Sequence, residues 1–146
     1  MEIDLRYDKL GTRLRWIGDV EIDYDKRGVR PCRLGERDLA YDKFGTRLRS
    51  VGDLAVDYDK LGTRPTRVGP WELAYDKFWT RLSEIGPYPL AYDKVGTRIS
   101  AIGPMSLSYD KLGTRAAGVE TAEPTLPADY DLALFVALIV TDDGSG

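Results

Sequence analysis

Apolar and polar residues alternate with a period of two in short stretches that return at a constant interval along the chain. In one of them Val20, Ile22 and Tyr24 alternate with acidic residues. The same alternation recurs in residues 54–58, 71–75 and 105–109. This period is typical of β-strands with one face in the core, so the chain is predicted to be mainly β.

Each stretch ends in a repeated motif: Tyr-Asp-Lys, two variable residues, Thr or Val, and then Arg. The seven copies begin at Tyr7, Tyr24, Tyr41, Tyr58, Tyr75, Tyr92 and Tyr109. Their spacing is always 17 residues, so residues 1–119 form one uninterrupted repeat array. So short a period indicates one small supersecondary unit copied in tandem, each copy burying its apolar face against its neighbours.

One repeat predicts one β-hairpin. The Asp-Lys-x-Gly step favours a type I turn followed by a bulge with Gly in the left-handed conformation, and Gly-Asp, Gly-Glu or Gly-Pro fits a two-residue type II′ turn. Five strand residues, four turn residues, six strand residues and two turn residues account for the 17. Counting from the turns pairs Ile17 with Val20 and Tyr24 with Arg30, which predicts a cation–π contact within each repeat. An apolar column on the opposite face is predicted to point outward: Leu14, Pro31, Leu48, Pro65, Leu82, Ile99 and Ala116.

Seven hairpins give an antiparallel meander of about 14 strands. An open sheet of this length leaves two edges and an uncovered apolar face, which closure into a barrel removes. Strands ~4.8 Å apart and tilted ~40° give a barrel radius of roughly 14 Å, more than side chains from the wall fill. The axis therefore needs an occupant.

The C-terminal segment is the candidate occupant. After a Pro-containing linker (residues 120–127), residues 128–141 begin with acids and continue into nine apolar residues, and 142–146 are predicted to be a disordered tail. A helix that is apolar all round is buried on every side, and nine residues at 1.5 Å each span ~13 Å. We expect a single domain, a barrel closed around or capped by this helix. The alternatives are a β-solenoid with one coil per repeat, a curved open sheet with the tail on one face or used for dimerisation, and a fifteenth strand at residues 136–140.

Two resemblances follow from these features. Tyr-Asp-x-x-Gly followed closely by Arg and an aliphatic residue, over residues 7–119, resembles the YD repeats of Rhs-type and teneurin shells, which implies a long β-meander wrapped around a cargo. An antiparallel barrel with an apolar C-terminal helix at its centre, here residues 129–141, is similar in architecture to the tubby and phospholipid-scramblase-like class. That likeness implies binding to phosphoinositides or membranes.

A meander places all seven Asp-Lys-x-Gly turns at one end, here named the lysine rim. It gathers Lys9, Lys26, Lys43, Lys60, Lys77, Lys94 and Lys111 with Arg13, Arg30, Arg47, Arg64, Arg81, Arg98 and Arg115. Seven Lys and seven Arg against seven Asp give +7, which leaves −10 for the rest of a chain whose total is −3. The molecule is therefore predicted to be a strong electrical dipole.

An apolar residue follows the motif lysine in six of the seven copies, and Arg27 is the exception. In the fifth copy Trp79 replaces the turn glycine, so Phe78 and Trp79 form the most hydrophobic tip and a candidate anchor. Apolar tips beside lysines are typical of a surface that docks on anionic lipid. The alternative is purely structural, since tandem duplication repeats turn residues without any ligand.

Catalysis has little support, because the chain has no histidine and its single cysteine, Cys32, has no histidine partner. No metal or cofactor motif appears. A pI near 5.0 argues against nucleic acid, and the nine-residue apolar run is too short for a transmembrane segment. We expect a non-enzymatic cytoplasmic protein that is a structural scaffold or a protein-interaction module, with a protein partner or self-association. The alternative is peripheral binding of anionic lipid or another polyanion at the lysine rim.

Overall fold

A computed structural model describes residues 1–28, 30–45, 47–62, 64–76, 81–94 and 98–141. Its strands are β1 (Glu2–Tyr7), β2 (Leu14–Ile17), β3 (Val20–Tyr24), β4 (Pro31–Leu34), β5 (Arg37–Tyr41), β6 (Leu48–Val51), β7 (Leu54–Tyr58), β8 (Pro65–Val68), β9 (Trp71–Tyr75), β10 (Leu82–Ile85), β11 (Tyr88–Tyr92), β12 (Ile99–Ile102), β13 (Met105–Tyr109) and β14 (Ala116–Thr121). The α-helix α1 (Tyr130–Phe135) follows and continues into a π-helical turn, Val136–Val140. Lys77, Phe78, Trp79 and the predicted tail 142–146 lie outside the described residues.

The strands form a closed antiparallel barrel in which every strand pairs with its neighbours in the sequence. The ring is closed by β1 and β14, with Glu2 opposite Glu120 and Asp4 opposite Gly118. Beyond these pairs the Met1 ammonium donates to the carbonyl of Thr121 at 2.8 Å, and the Thr121 N–H donates to the carbonyl of Met1 at 2.8 Å. The predicted closed meander of 14 strands is confirmed, and the solenoid and the open sheet are excluded.

Both predicted turn types are present. In the first long turn the Gly11 N–H donates to the Asp8 carbonyl at 2.8 Å, and Gly11 has a φ of 74°. This is a type I turn closed by a left-handed residue. In the two-residue turn Gly18 has a φ of 61° and Asp19 does not have a positive φ, as type II′ requires.

The predicted register is wrong at one point in every repeat. Ile17 pairs with Val20 as expected, but Tyr24 lies opposite Pro31, not Arg30, and a β-bulge follows. Counting inward from the turn assumed one residue opposite one residue. In a bulge, two residues of one strand lie opposite a single residue of its partner. Every residue of the bulged strand beyond that point therefore faces the other side of the sheet.

The bulge turns the column predicted to face outward into the core. Leu14, Leu48 and Leu82 are at most 7% exposed. Strands β2, β6, β8 and β10 therefore bury two apolar residues three positions apart, as Leu14 and Ile17 show in β2. The even-numbered strands before β14 are four residues long instead of the expected six.

The C-terminal helix, α1 with its π-helical turn, occupies the interior of the barrel. Leu132 through Ala137 are six consecutive residues with 0–5% exposure. At 100° per residue six positions cover every face of a helix, so the wall surrounds it. Each large apolar side chain buried in this way contributes about 1.5–3 kcal/mol. The hypothesis of a fifteenth strand at residues 136–140 was wrong.

One residue of the wall fixes how the helix sits. Arg37 contacts two carboxylates that flank the start of α1, Asp129 at 2.9 Å and Asp131 at 3.3 Å. Arg37 is the first residue of β5, and the equivalent first residues of β3, β7, β9, β11 and β13 are uncharged. The wall repeats seven times and the helix does not, so this contact selects one rotational position. It also places the start of the helix at the end formed by the two-residue turns.

Replacing Arg37 with Leu is expected to lower the free energy of unfolding by about 1–2 kcal/mol, because Asp131, only 18% exposed, loses its charged partner. Denaturant titration followed by circular dichroism measures the change. The matched control is Arg33→Leu, since the Arg33–Asp38 pair is 50% and 86% exposed and is expected to contribute less than about 0.5 kcal/mol. Equal effects of the two substitutions would contradict this role for Arg37.

Candidate binding rim

The turns that begin with the motif Asp-Lys lie at one end of the barrel, because each joins an odd-numbered strand to the following even-numbered one. The motif arginines and tyrosines of this lysine rim form a closed circle. Each guanidinium lies over the tyrosine ring of the next repeat, at 4.5–5.8 Å from its centroid. Arg115 of the last repeat lies over Tyr7 of the first at 4.8 Å, which completes the circle.

The cation–π partner predicted within one repeat was wrong. Arg30 stacks on Tyr41 of the next repeat at 4.7 Å, while Tyr24 is covered by Arg13 of the repeat before it. The bulge beside each tyrosine changes the register between the two strands of the hairpin. The motif therefore joins neighbouring hairpins instead of bracing a single one.

The tyrosine hydroxyls strengthen the same junctions. Tyr24 donates to the carbonyl of Leu14 at 2.8 Å, and Tyr7 donates across the closing seam to Ala116 at 2.7 Å. All seven hydroxyls make the equivalent bond, at 2.6–2.8 Å. Burial raises the pKa of Tyr24, Tyr41 and Tyr75 to about 12, although the nearby arginine opposes this shift.

The motif aspartates build the turns. Asp8 accepts the N–H of Thr12 at 2.9 Å, and this backbone hydrogen bond contributes most to a pKa below the ordinary range. In six of the turns the aspartate lies 2.9–3.5 Å from the arginine of its own repeat. In the remaining turn the Arg64 N–H donates to the Asp59 carboxylate at 3.3 Å. These carboxylates are committed to the turn, as expected for Asp at its first position.

The arginines also bond the turn of the next repeat. Arg47 donates to the carbonyl of Gly62 at 3.0 Å, and Arg115 donates across the seam to the carbonyl of Gly11. The Arg115 guanidinium lies against Gly11, whose positive φ favours glycine in this turn. The seven arginines predicted as rim site residues therefore also hold neighbouring hairpins together, and their side chains stay partly exposed.

The solvent-facing part of the rim consists of lysines and apolar tips. The described lysines of the rim are all exposed: Lys9, Lys26, Lys43, Lys60, Lys94 and Lys111. The tip residues next to four of them, Leu10, Phe44, Leu61 and Leu112, are 84–86% exposed. Arg27, which replaces the apolar tip in the second copy, is exposed as well. The predicted anchor at Phe78 and Trp79 falls outside the described part of the chain, and so does Lys77.

The described residues include no group of three or more His, Cys, Asp or Glu side chains placed to hold a metal ion. In the same part of the chain, no helix has the length and apolar character needed to cross a membrane. No protein-family model matches this sequence, and no curated protein or solved structure is significantly similar to it.

Sequence reasoning missed two features of this arrangement. The first is the partner of each arginine, which lies in the next repeat and depends on the bulge. The consistently apolar column from Leu14 to Ala116 was the available signal, because an apolar position kept in all seven copies favours the core. The second is Arg37, which has no counterpart in the other repeats, so the repeat pattern gave no signal for it.

The buried tyrosines predict a loss of stability at alkaline pH. A raised pKa in the folded state means that ionisation favours the unfolded chain, so stability is unaffected below pH 10, the ordinary value, and falls as pH rises towards 12. Tyrosinate absorbance and circular dichroism recorded together should change over the same range. The chain in denaturant is the control, with ionisation near pH ~10. Ionisation of the circle near pH 10 with an intact β spectrum would contradict the packing described.

Proposed function

We propose that this chain is a non-catalytic β-repeat protein, a structural scaffold that presents the lysine rim as a protein-interaction surface. The proposal depends on one observation: some residues of the motif make contacts within the wall, and others face the solvent. Tyr, Asp and Arg are occupied by contacts between and within hairpins, as at Tyr41, Asp42 and Arg30. In the copies that the structure describes, the lysine and the tip residue make no such contact, and the tips are among the most exposed apolar side chains.

The composition of the rim indicates the chemistry of its partner. Exposed ammonium groups attract carboxylates and phosphates over the screening length of the solution. Large apolar side chains at 84–86% exposure, such as Phe44 and Leu61, contribute when a partner covers them. The rim therefore favours a partner whose surface carries acidic groups with apolar side chains between them. The lysine recurs in all seven copies of the motif, and such a set of equivalent groups supports binding over catalysis.

A second candidate function is peripheral docking on anionic lipid. The exposure of Leu10, Phe44, Leu61 and Leu112 beside lysines favours it, because such tips enter the headgroup layer while the ammonium groups contact lipid phosphates. Under this alternative the barrel stands with its lysine rim on the membrane. The resemblances to YD-type shells and to tubby and scramblase-like barrels stay predictions on either function.

The rim is tested with a soluble acidic polypeptide, poly-glutamate, as a substitute for an acidic protein surface. The triple variant Lys26→Gln, Lys43→Gln, Lys60→Gln is expected to bind it about tenfold more weakly at low salt, since each exposed ion pair contributes a few tenths to 1 kcal/mol. Isothermal titration calorimetry measures the affinity. The same variants are then tested for co-sedimentation with neutral and with anionic vesicles.

The matched control removes three cations from the outer wall instead: Arg33→Gln, Arg49→Gln, Arg67→Gln. It changes the net charge by the same amount and is expected to keep most of the binding. Equal loss in both variants would contradict a role for the rim. Vesicle binding that falls with Phe44→Ser and Leu61→Ser, while poly-glutamate binding does not, would favour the lipid alternative.

A further inference from the structure

The end of the barrel opposite the lysine rim is acidic. It contains the two-residue turns, the start of β1 and the end of β14, and the start of α1. We name as the acidic end its exposed carboxylate residues, Glu2, Asp19, Glu36, Asp53, Glu120, Glu123 and Asp129. At this end Arg37 is engaged by Asp129 and Asp131. The acidic end therefore carries a large negative charge.

The lysine rim carries a comparable positive charge. Its arginines are balanced by the turn aspartates, which they contact in six turns at 2.9–3.5 Å. The six described lysines and Arg27 are seven exposed cations in addition to those pairs. The formal charge of the whole chain is only −3. The charges of the two ends of the barrel therefore nearly cancel, and they are separated along the barrel axis.

The same fourteen strands bound both ends of the barrel. The lysine rim is formed by seven long turns, and the acidic end by six two-residue turns with the start of β1 and the end of β14. From this geometry we propose that the partner of the lysine rim is the acidic end of a second copy of this chain. The inference rests on the proposed function and names the partner. Such a contact joins two different surfaces, so it repeats along the barrel axis into open columns and does not stop at a dimer.

The apolar groups of the two ends are complementary as well. At the acidic end the turns after β8, β10 and β12 carry exposed Pro70, Pro87 and Pro104 in place of acids. Half-buried Trp71 and Tyr88 lie next to them and pack edge to face, with ring centroids 5.8 Å apart. This end thus combines an acidic sector with an apolar one. The rim that faces it combines lysines with exposed Phe44 and Leu61, among other tips.

A second copy as the partner explains the charge of both ends of the barrel, whereas an anionic membrane explains only that of the lysine rim. A membrane engages the lysine rim alone and leaves the opposite end without a role. The acidic end is repelled by anionic lipid and attracted by the rim, so head-to-tail association uses both halves of the dipole. The stacked order also covers the apolar tips of every copy except the outermost.

The test is the weight-average mass of the full chain by light scattering as a function of protein and salt concentration. At about 0.01 M salt we expect the mass to reach at least about twice the monomer value near ~1 mM protein, as a weak electrostatic contact allows. At about 1 M salt, where the Debye length falls to ~3 Å, the chain should be monomeric. A wild-type chain that stays monomeric at low salt overturns the inference.

Two charge-reversed variants test which surfaces meet. The rim variant is Lys26→Glu, Lys43→Glu, Lys60→Glu, and the end variant is Asp19→Lys, Glu36→Lys, Asp53→Lys. Each alone should be monomeric at low salt, because the three reversals leave one of its two ends nearly neutral. An equimolar mixture should form dimers, because the unaltered lysine rim of the end variant meets the unaltered acidic end of the rim variant. Recovery in the mixture also shows that both variants are folded, and circular dichroism checks this separately.

The control Arg33→Glu, Arg49→Glu, Arg67→Glu alters the outer wall by the same charge as the rim variant and should still associate. Association of either end-reversed or rim-reversed chain alone, or no recovery in the mixture of folded variants, overturns the inference. A monomeric wild type that binds poly-glutamate or anionic vesicles through the lysine rim would refute the second copy as partner and leave the proposed function standing. A wild type that binds none of the three would refute both.

Discussion

The structure depends on the contact in which the arginine and tyrosine of neighbouring repeats stack, with the tyrosine hydroxyl bonded to a backbone carbonyl of the adjacent hairpin. In every hairpin the tyrosine is covered by the arginine of the preceding repeat, and the arginine covers the tyrosine of the following one. Arg30 thus lies over Tyr41, and Arg47 lies over Tyr58. Such a unit is incomplete when alone, because one of its two junctions has no partner. Linear repeat arrays solve this problem with atypical terminal repeats. Here the last repeat meets the first, Arg115 over Tyr7, and no end remains.

Closure imposes a second requirement, because a wall of fourteen strands encloses more space than its own side chains fill. The C-terminal helix meets this requirement with residues such as Leu132, Leu134 and Phe135, all fully enclosed. A symmetric wall offers a helix seven equivalent positions, and a polar contact removes the degeneracy. Arg37 has that role with Asp129 and Asp131, and the conformational specificity comes from a residue that breaks the repeat.

Much of this architecture is predictable from the sequence because it follows from periods and lengths. Alternation at Val20, Ile22 and Tyr24 predicts the strands, Asp-Lys-x-Gly and Gly-Asp predict both turns, and strand number and helix length predict a filled barrel. Counting from the turns alone did not reveal the bulge, and the apolar column from Leu14 to Ala116 was the pattern that could have indicated it. The bulge reversed the face of Leu14 and moved the partner of Arg30 from Tyr24 to Tyr41.

The residues of the candidate site stay predictions, and the structure adds the contacts that they make. The seven arginines, predicted as part of the rim, each stack on a tyrosine of the wall. The surface chemistry resides in the residues that the wall does not use: the lysines, the tips beside them, and the acids and prolines of the opposite turns. Repetition by itself does not separate these two sets, because both recur at the same interval. Only the contacts of each side chain separate them.

The central claim is that the first and last hairpins meet, and a disulfide across the seam tests it most directly. Glu2 and Glu120 are exposed and lie opposite each other in β1 and β14, at a separation that suits a disulfide in antiparallel strands. Glu2→Cys with Glu120→Cys, in a Cys32→Ser background, should form an intramolecular disulfide in high yield under mild oxidation, measured by mass spectrometry. An open sheet would separate these ends by roughly 60 Å. Monomeric protein that keeps both thiols reduced would contradict the closed ring.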